Sequence, residues 1–205
     1  MDKNELLGFL HAADFGGLFI ECGWSSPTSK LPIKVVAGEA EYTFAEAAQQ
    51  KGFRVLVCRA PKIPDSSVRR ALDAKIRKLF ESYLMVFVSE SEGFHHLWSV
   101  PVKAVDKRQL VVIEYAQDEQ STFLLDKLRA VSFSFDDSPT IIDVVDRVNK
   151  AFLVNATEVT KKFYQGFRKE HQKFVEGILN ISGKEDREWY ASVMLNRLMF
   201  CYFIQ

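Results

Sequence analysis

A chain of 205 residues with 47% apolar side chains has room for one ordinary domain plus a helical extension, and too much apolar content for a disordered tail. Its 27 basic and 27 acidic residues cancel, so no overall field draws it to nucleic acid and any such contact has to come from a local patch. Three cysteines without a C-x-x-C pair fit reduced thiols. No window holds the roughly 18 apolar residues of a membrane span, and the N-terminus lacks a secretory apolar region, so the expectation is a cytoplasmic protein with no membrane partner.

In chain order, Asn4 to Ala13 suits a short helix, Gly17 to Cys22 a strand, and Ile33 to Ala37 a second strand with β-branched bias. Thr43 followed by Glu46 reads as a capping box for a helix over Phe44 to Lys51, closed by Gly52. Phe53 to Arg59 reads as a buried strand. The proline-containing loop from Ala60 to Asp65 then precedes a helix capped by Asp65 or Ser66, whose apolar face carries Val68, Leu72, Ile76, Leu79 and Phe80.

Tyr83 to Ser89 (YLMVFVS) is the strongest strand pattern in the chain. Phe94 to Lys103 and Gln109 to Tyr115 follow as an antiparallel ribbon, with polar turns at Glu90 to Gly93 and Asp106 to Arg108. The fold class expected is α/β: a mixed central sheet of about five or six strands with packed helices.

From Ser138 onward the pattern is wholly helical. Ser138 is the expected cap and Pro139 the first helical residue, with a stripe through Ile142, Val145, Val148 and Phe152. Asn155 with Glu158 marks a second helix carrying Val159, Phe163, Phe167, Phe174 and Ile178, and Ser182 with Glu185 marks a third. The expected organisation is an α/β domain over residues 1–137 and a helical connector over 138–205. The last helix stays apolar through Phe200, Cys201, Tyr202, Phe203 and Ile204 with no capping residue after it, which reads as the front end of a longer protein.

Two stretches of that helical region carry a resemblance. VTKKFYQGFRKEHQKF (Val159 to Phe174) and DREWYASVMLNRLMFCYFIQ (Asp186 to Gln205) resemble the segment that leads into the catalytic domain of large adenine-specific DNA methyltransferases and type IIG restriction-modification enzymes. The shared positions include Thr160, Phe163, Tyr164, Phe167, His171, Phe174, Asp186, Arg187, Trp189, Tyr190, Leu195, Asn196, Arg197, Phe200, Tyr202, Phe203 and Gln205. The likeness covers about the last fifty residues and includes no catalytic motif. It implies a bacterial defence protein with DNA as partner. It also implies a downstream methyltransferase domain that binds S-adenosylmethionine, with Arg187, Trp189, Arg197, Phe200 and Phe203 as the interdomain docking face. Neither a Gly-rich cofactor loop nor an [N/D]PP[Y/F] motif occurs here, so this chain has no methyltransferase chemistry of its own.

The same resemblance raises an N-terminal nuclease of the PD-(D/E)xK kind. Such a site needs a carboxylate at a strand end and a carboxylate and lysine two apart on the next strand, jointly holding Mg²⁺. That spacing is absent from the expected strands. Asp73 and Lys75 are two apart on a helix, where they point to different faces. A degenerate site would draw on Glu21, Asp65, Glu81 or Lys103; the alternative is that these are solvated or capping charges.

The densest basic cluster is Lys62, Arg69, Arg70, Arg77 and Lys78, with Arg70 and Arg77 nearly in line along the helix, a spacing suited to DNA phosphates or equally to a solvated face. His95 and His96 point to opposite sides of a strand, one of them packed beside Trp98, and no zinc site is expected. The readings left standing are an architectural and DNA-contacting portion of a restriction-modification protein, a divergent Mg²⁺-dependent endonuclease, and a protein-interaction module whose apolar last helix is its partner surface.

Overall fold

The computed structural model describes residues 3–91, 95–104, 107–115, 121–134, 136–153 and 156–204, with side chains at all of these except 104, 107, 121–122, 156–165, 199 and 202–204. The chain divides into two compact units, Met1–Val154 and Asn155–Gln205.

Unit 1 begins with two short helices, α1 (Lys3–His11) and α2 (Phe15–Glu21). The expected strand over Gly17 to Cys22 is therefore a helix. The Asp14 side chain caps it, Oδ1 accepting from Gly17 N at 3.0 Å, and Phe15, Leu18 and Phe19 are buried at helical spacing.

Three antiparallel strands follow: β1 (Ile33–Ala37), β2 (Ala40–Gln50) and β3 (Phe53–Ala60). The helix expected over Phe44 to Lys51 is the second half of β2. Its helix-favouring AEAAQQ run is overridden by pairing with β3, and a register shift between Glu46 and Ala48 lets Phe44 and Ala48 be buried on opposite faces of the sheet. Gly52, expected to end a helix, instead completes a two-residue hairpin turn with Lys51, and both adopt positive φ (95° and 50°).

Helix α3 (Ser66–Ile76) then crosses over so that β4 (Tyr83–Ser89) runs parallel to β3. This helix ends earlier than its apolar pattern suggests, and residues 77–79 continue as a turn. Two antiparallel strands, β5 (His96–Ala104) and β6 (Lys107–Tyr115), complete a six-stranded sheet in the order β1-β2-β3-β4-β5-β6. The mixed α/β architecture agrees with the sequence. β4 is buried at every position, as a central strand covered on both faces must be.

One face of the sheet is covered by α1, α2 and two later helices, α4 (Ser121–Ala130) and α5 (Ile141–Leu153). Their Leu6, Phe19, Leu128, Val148 and Phe152 meet Val55, Val86, Trp98 and Ile113 in the larger core. The ends of α2 and α4 are stitched together: Phe133 N donates to Cys22 O at 2.8 Å and Trp24 Nε1 to Val131 O at 3.0 Å. The opposite face carries a smaller core of Val35, Phe44, Leu56, Leu72, Ile76, Met85 and Phe87 under α3.

The sequence reading gives α5 to the connector, but its buried Val144, Val148 and Phe152 belong to the core of unit 1. Its cap is Thr140 rather than Ser138. Thr140 N donates to Asp143 Oδ2 at 2.8 Å and Asp143 N to Thr140 Oγ1 at 3.3 Å, while Ile142, expected in the apolar stripe, is 70% exposed.

Unit 2 consists of α6 (Ala156–Gly177) and α7 (Lys184–Ile204). His171 Nε2 lies 3.0 Å from Ser192 Oγ, which itself donates to Glu188 O at 2.8 Å, so the imidazole N–H supplies the proton that joins the two helices. Ala191 is fully buried where they meet. Asn155 and the side chains of Glu158, Val159, Phe163 and Phe203 lie outside the described residues, as do parts of the two polar turns expected around the β5–β6 ribbon.

Candidate functional site

The basic cluster is built on α3. The Asp65 carboxylate caps the helix, Oδ1 accepting from Ser67 Oγ at 2.7 Å, Val68 N at 2.9 Å and Ser67 N at 3.0 Å. The Ser67 hydroxyl bond, foremost, holds its pKa below the usual carboxylate range. Arg69 turns back along its own helix to donate to the Pro64 carbonyl, and burial depresses its guanidinium. Lys75 Nζ donates to Val36 O at 2.6 Å, tying α3 to β1. Of the five basic residues singled out in the sequence, Arg69 is thus committed locally, whereas Lys62, Arg70, Arg77 and Lys78 are exposed. These four can reach phosphates.

The four nuclease candidates do not converge. Asp65 follows the C-terminal end of β3 and Glu81 precedes the N-terminal end of β4; the strands are parallel, so the length of α3, about 16 Å for eleven residues, separates them. Glu81 and Lys103 line one cavity of about 310 Å³ with Phe53, Tyr83, Arg108 and Asn149 at the opposite end of the sheet from Asp65. Glu21 is exposed at the end of α2. Asp65 is thus held apart from Glu81 and Lys103, and among the described residues no group of three His, Cys, Asp or Glu side chains is placed to hold a metal ion.

Sequence reasoning missed the charge network that spans α3, β4 and β6. Arg108 donates to Asp73 through both terminal nitrogens, at 2.5 and 2.8 Å, and Nη2 also reaches Tyr83 Oη at 3.0 Å. Tyr83 Oη donates to Asp73 Oδ1 at 2.7 Å. Burial raises the Tyr83 pKa, and the Asp73 hydrogen bond raises that of Arg108. No local motif announces a trio 35 residues long; only the sheet topology brings it together.

On the other face of the sheet, the fully buried His96 stacks on Tyr115 with ring centroids 4.3 Å apart and packs edge-on against Phe15. Its Nδ1 accepts from Trp98 Nε1 at 2.9 Å, which fixes the neutral ring with its proton on Nε2, and burial depresses its pKa to about 4. The pairing of one histidine with Trp98 agrees with the sequence reading. His95, on the α3 face, pairs with Glu114 at 2.7 Å.

In unit 2, Trp189 and Phe200 are 70% and 68% exposed. Eleven residues apart on a helix, they lie within about 20° of one another, well round from the Ala191 side that meets α6. Arg197 is exposed about 60° round the helix from Phe200, whereas Arg187 is half-buried and lines a cavity of about 540 Å³ with Arg168 and His171 between α6 and α7. The Phe203 side chain lies outside those described.

No protein family model, no curated protein and no solved structure matches this chain. None of the described helices is long and apolar enough to cross a membrane.

Proposed function

We propose that the chain is the N-terminal, non-methyltransferase portion of a DNA restriction-modification protein. Unit 1 contributes phosphate contacts through Lys62, Arg70, Arg77 and Lys78, and unit 2 is the connector on which a methyltransferase domain docks. The role is architectural rather than catalytic.

The observation that carries this reading is α7. A helix with apolar residues on more than one side needs more than one neighbour to cover them. Ala191 faces α6, yet Trp189 and Phe200 stand open on the far side of the helix, and Leu198, 57% exposed, is open two turns beyond Ala191 on its own side. Those residues sit in the stretch whose wording resembles the lead into a methyltransferase domain, which names the occupant. The exposed side chains of α3 support the DNA contact, and Asp73, the acid within that helix, is already neutralised by Arg108.

The test lengthens the chain by the gene sequence that follows codon 205. Covering α7 should shift Trp189 emission to shorter wavelength; emission unchanged from that of an exposed indole overturns the docking. For the DNA contact, duplex binding is titrated over a range of salt concentrations. Arg70→Ala and Arg77→Ala should each reduce the slope of log K against log salt by about 1 without altering sequence preference, and an unchanged slope removes α3 from the interface.

A further inference from the structure

The two edges of the sheet are built differently. β1 is five residues long, follows Pro32, and presents Lys34 paired with Glu41, which are the usual means of keeping an edge strand from pairing with another chain. β6 is nearly twice as long and carries its charged residues, Lys107, Arg108 and Glu114, only towards its ends. It runs for nine residues, KRQLVVIEY, with no proline and an unbroken apolar centre from Leu110 to Ile113. Along its whole length it pairs with β5, from His96↔Tyr115 to Ala104↔Lys107, and among the described residues no strand pairs with its outer side.

The residues of β6 on the α3 face are Arg108, Leu110, Val112 and Glu114, of which Leu110 is half-buried and Val112 is 37% exposed. These four are complementary about Val111: Leu110 and Val112 flank it, and outside them stand a cation, Arg108, which is bound to Asp73, and an anion, Glu114, which is paired with His95. If a second β6 runs antiparallel with Val111 opposite Val111, Arg108 of each copy faces Glu114 of the other and Leu110 faces Val112. Opposite charges and apolar residues then meet in one register, the kind of cross-strand pairing that stabilises antiparallel strands. Because the two copies must keep the same face outward, the register can shift only in steps of one full pair. The neighbouring registers set Arg108 against Val112, or Leu110 against Glu114, and lose the match.

We propose that the β6 edge is a self-recognition surface. A second copy of this chain adds its β6 antiparallel, centred on Val111, so that the two sheets become one continuous sheet about a two-fold axis. The inference does not depend on the DNA or methyltransferase reading, since it concerns unit 1 alone.

The experiment is sedimentation of the whole 205-residue chain under reducing conditions across a range of concentrations, with circular dichroism to confirm folding. The wild type should show a reversible monomer–dimer equilibrium. Val112→Lys and Leu110→Glu should each weaken dimerisation by about tenfold or more, because each sets two unmatched charges into the apolar centre. An equal mixture of the two variants should recover dimer, since the new cation of one copy then faces the new anion of the other. If Leu110→Glu does not fold, Glu114→Arg serves instead: it sets arginine against arginine at both ends and must also weaken the dimer. A wild type that is monomeric at every concentration overturns the proposal. So does a dimer indifferent to these substitutions, which would place self-association elsewhere, or a mixture of folded variants that fails to recover it.

Discussion

His96 makes unit 1 sensitive to acid between about pH 6.5 and about pH 4. The ring is fully buried and its pKa is lowered by burial to about 4 from 6.5. Between these values the unfolded chain takes up a proton that the folded one refuses. Stability from His96 is therefore fully present above pH 6.5 and is lost as the pH falls towards 4. The whole difference of two and a half pH units corresponds to about 3 kcal/mol, of which about 2 kcal/mol is lost between about pH 7.5 and about pH 5. His96→Gln keeps an acceptor for Trp98 Nε1 but cannot charge. It should be less stable than wild type at neutral pH, and the gap should close by about 2 kcal/mol as the pH is lowered to about 5. The assay is urea unfolding followed by tryptophan emission in a Trp189→Phe background, so that the buried Trp24 and Trp98 report on unit 1. Groups other than His96 titrate in both proteins and cancel in the difference. Equal pH slopes in wild type and variant would refute the reasoning.

Two further substitutions probe unit 1. Arg108→Ala strands the Asp73 carboxylate beside Tyr83, and because the arginine side chain is 33% exposed the cost should be about 2–3 kcal/mol rather than the larger loss seen for a wholly buried pair; a urea midpoint equal to wild type would show that water replaces the guanidinium freely. Gly23 has φ +78° and an added Cβ would sit 2.1 Å from the Phe133 carbonyl oxygen, so Gly23→Ala should cost at least about 2 kcal/mol and lower Tm, whereas an unchanged melt would mean that the Cys22–Phe133 stitch can yield.

What the sequence made legible follows from which interactions are local. Asp65 is recognisable as a cap because its partners are two and three residues away, and β4 because six apolar residues in a row suit a strand covered on both sides. The swapped assignments of α2 and β2 arise where local signals serve either structure. A short apolar run such as GLFIEC has no period of its own, and the deciding signal was Asp14, a cap just ahead of it. Thr43 and Glu46 have capping-box spacing, yet Glu46 Oε1 accepts from the Thr28 hydroxyl and Oε2 from Arg54, partners that only the folded sheet supplies. Lys51–Gly52 ends a helix or turns a hairpin equally well. The candidate site divides in the same way. The basic residues of α3 were legible as a cluster, but Arg69's return to Pro64 and the Asp73–Tyr83–Arg108 trio depend on backbone geometry and topology.

The cysteines differ in a way that has practical use. Cys22 and Cys58 are buried in unit 1, and burial pushes both thiols up, Cys58 to about 11, so little reactive thiolate forms at neutral pH. Cys201 is exposed on α7, one residue beyond Phe200. A maleimide added to the native protein therefore meets one fast-reacting position, already next to the apolar surface of unit 2. Its labelling rate becomes a built-in footprint of that surface, slow when something covers the helix and fast when nothing does.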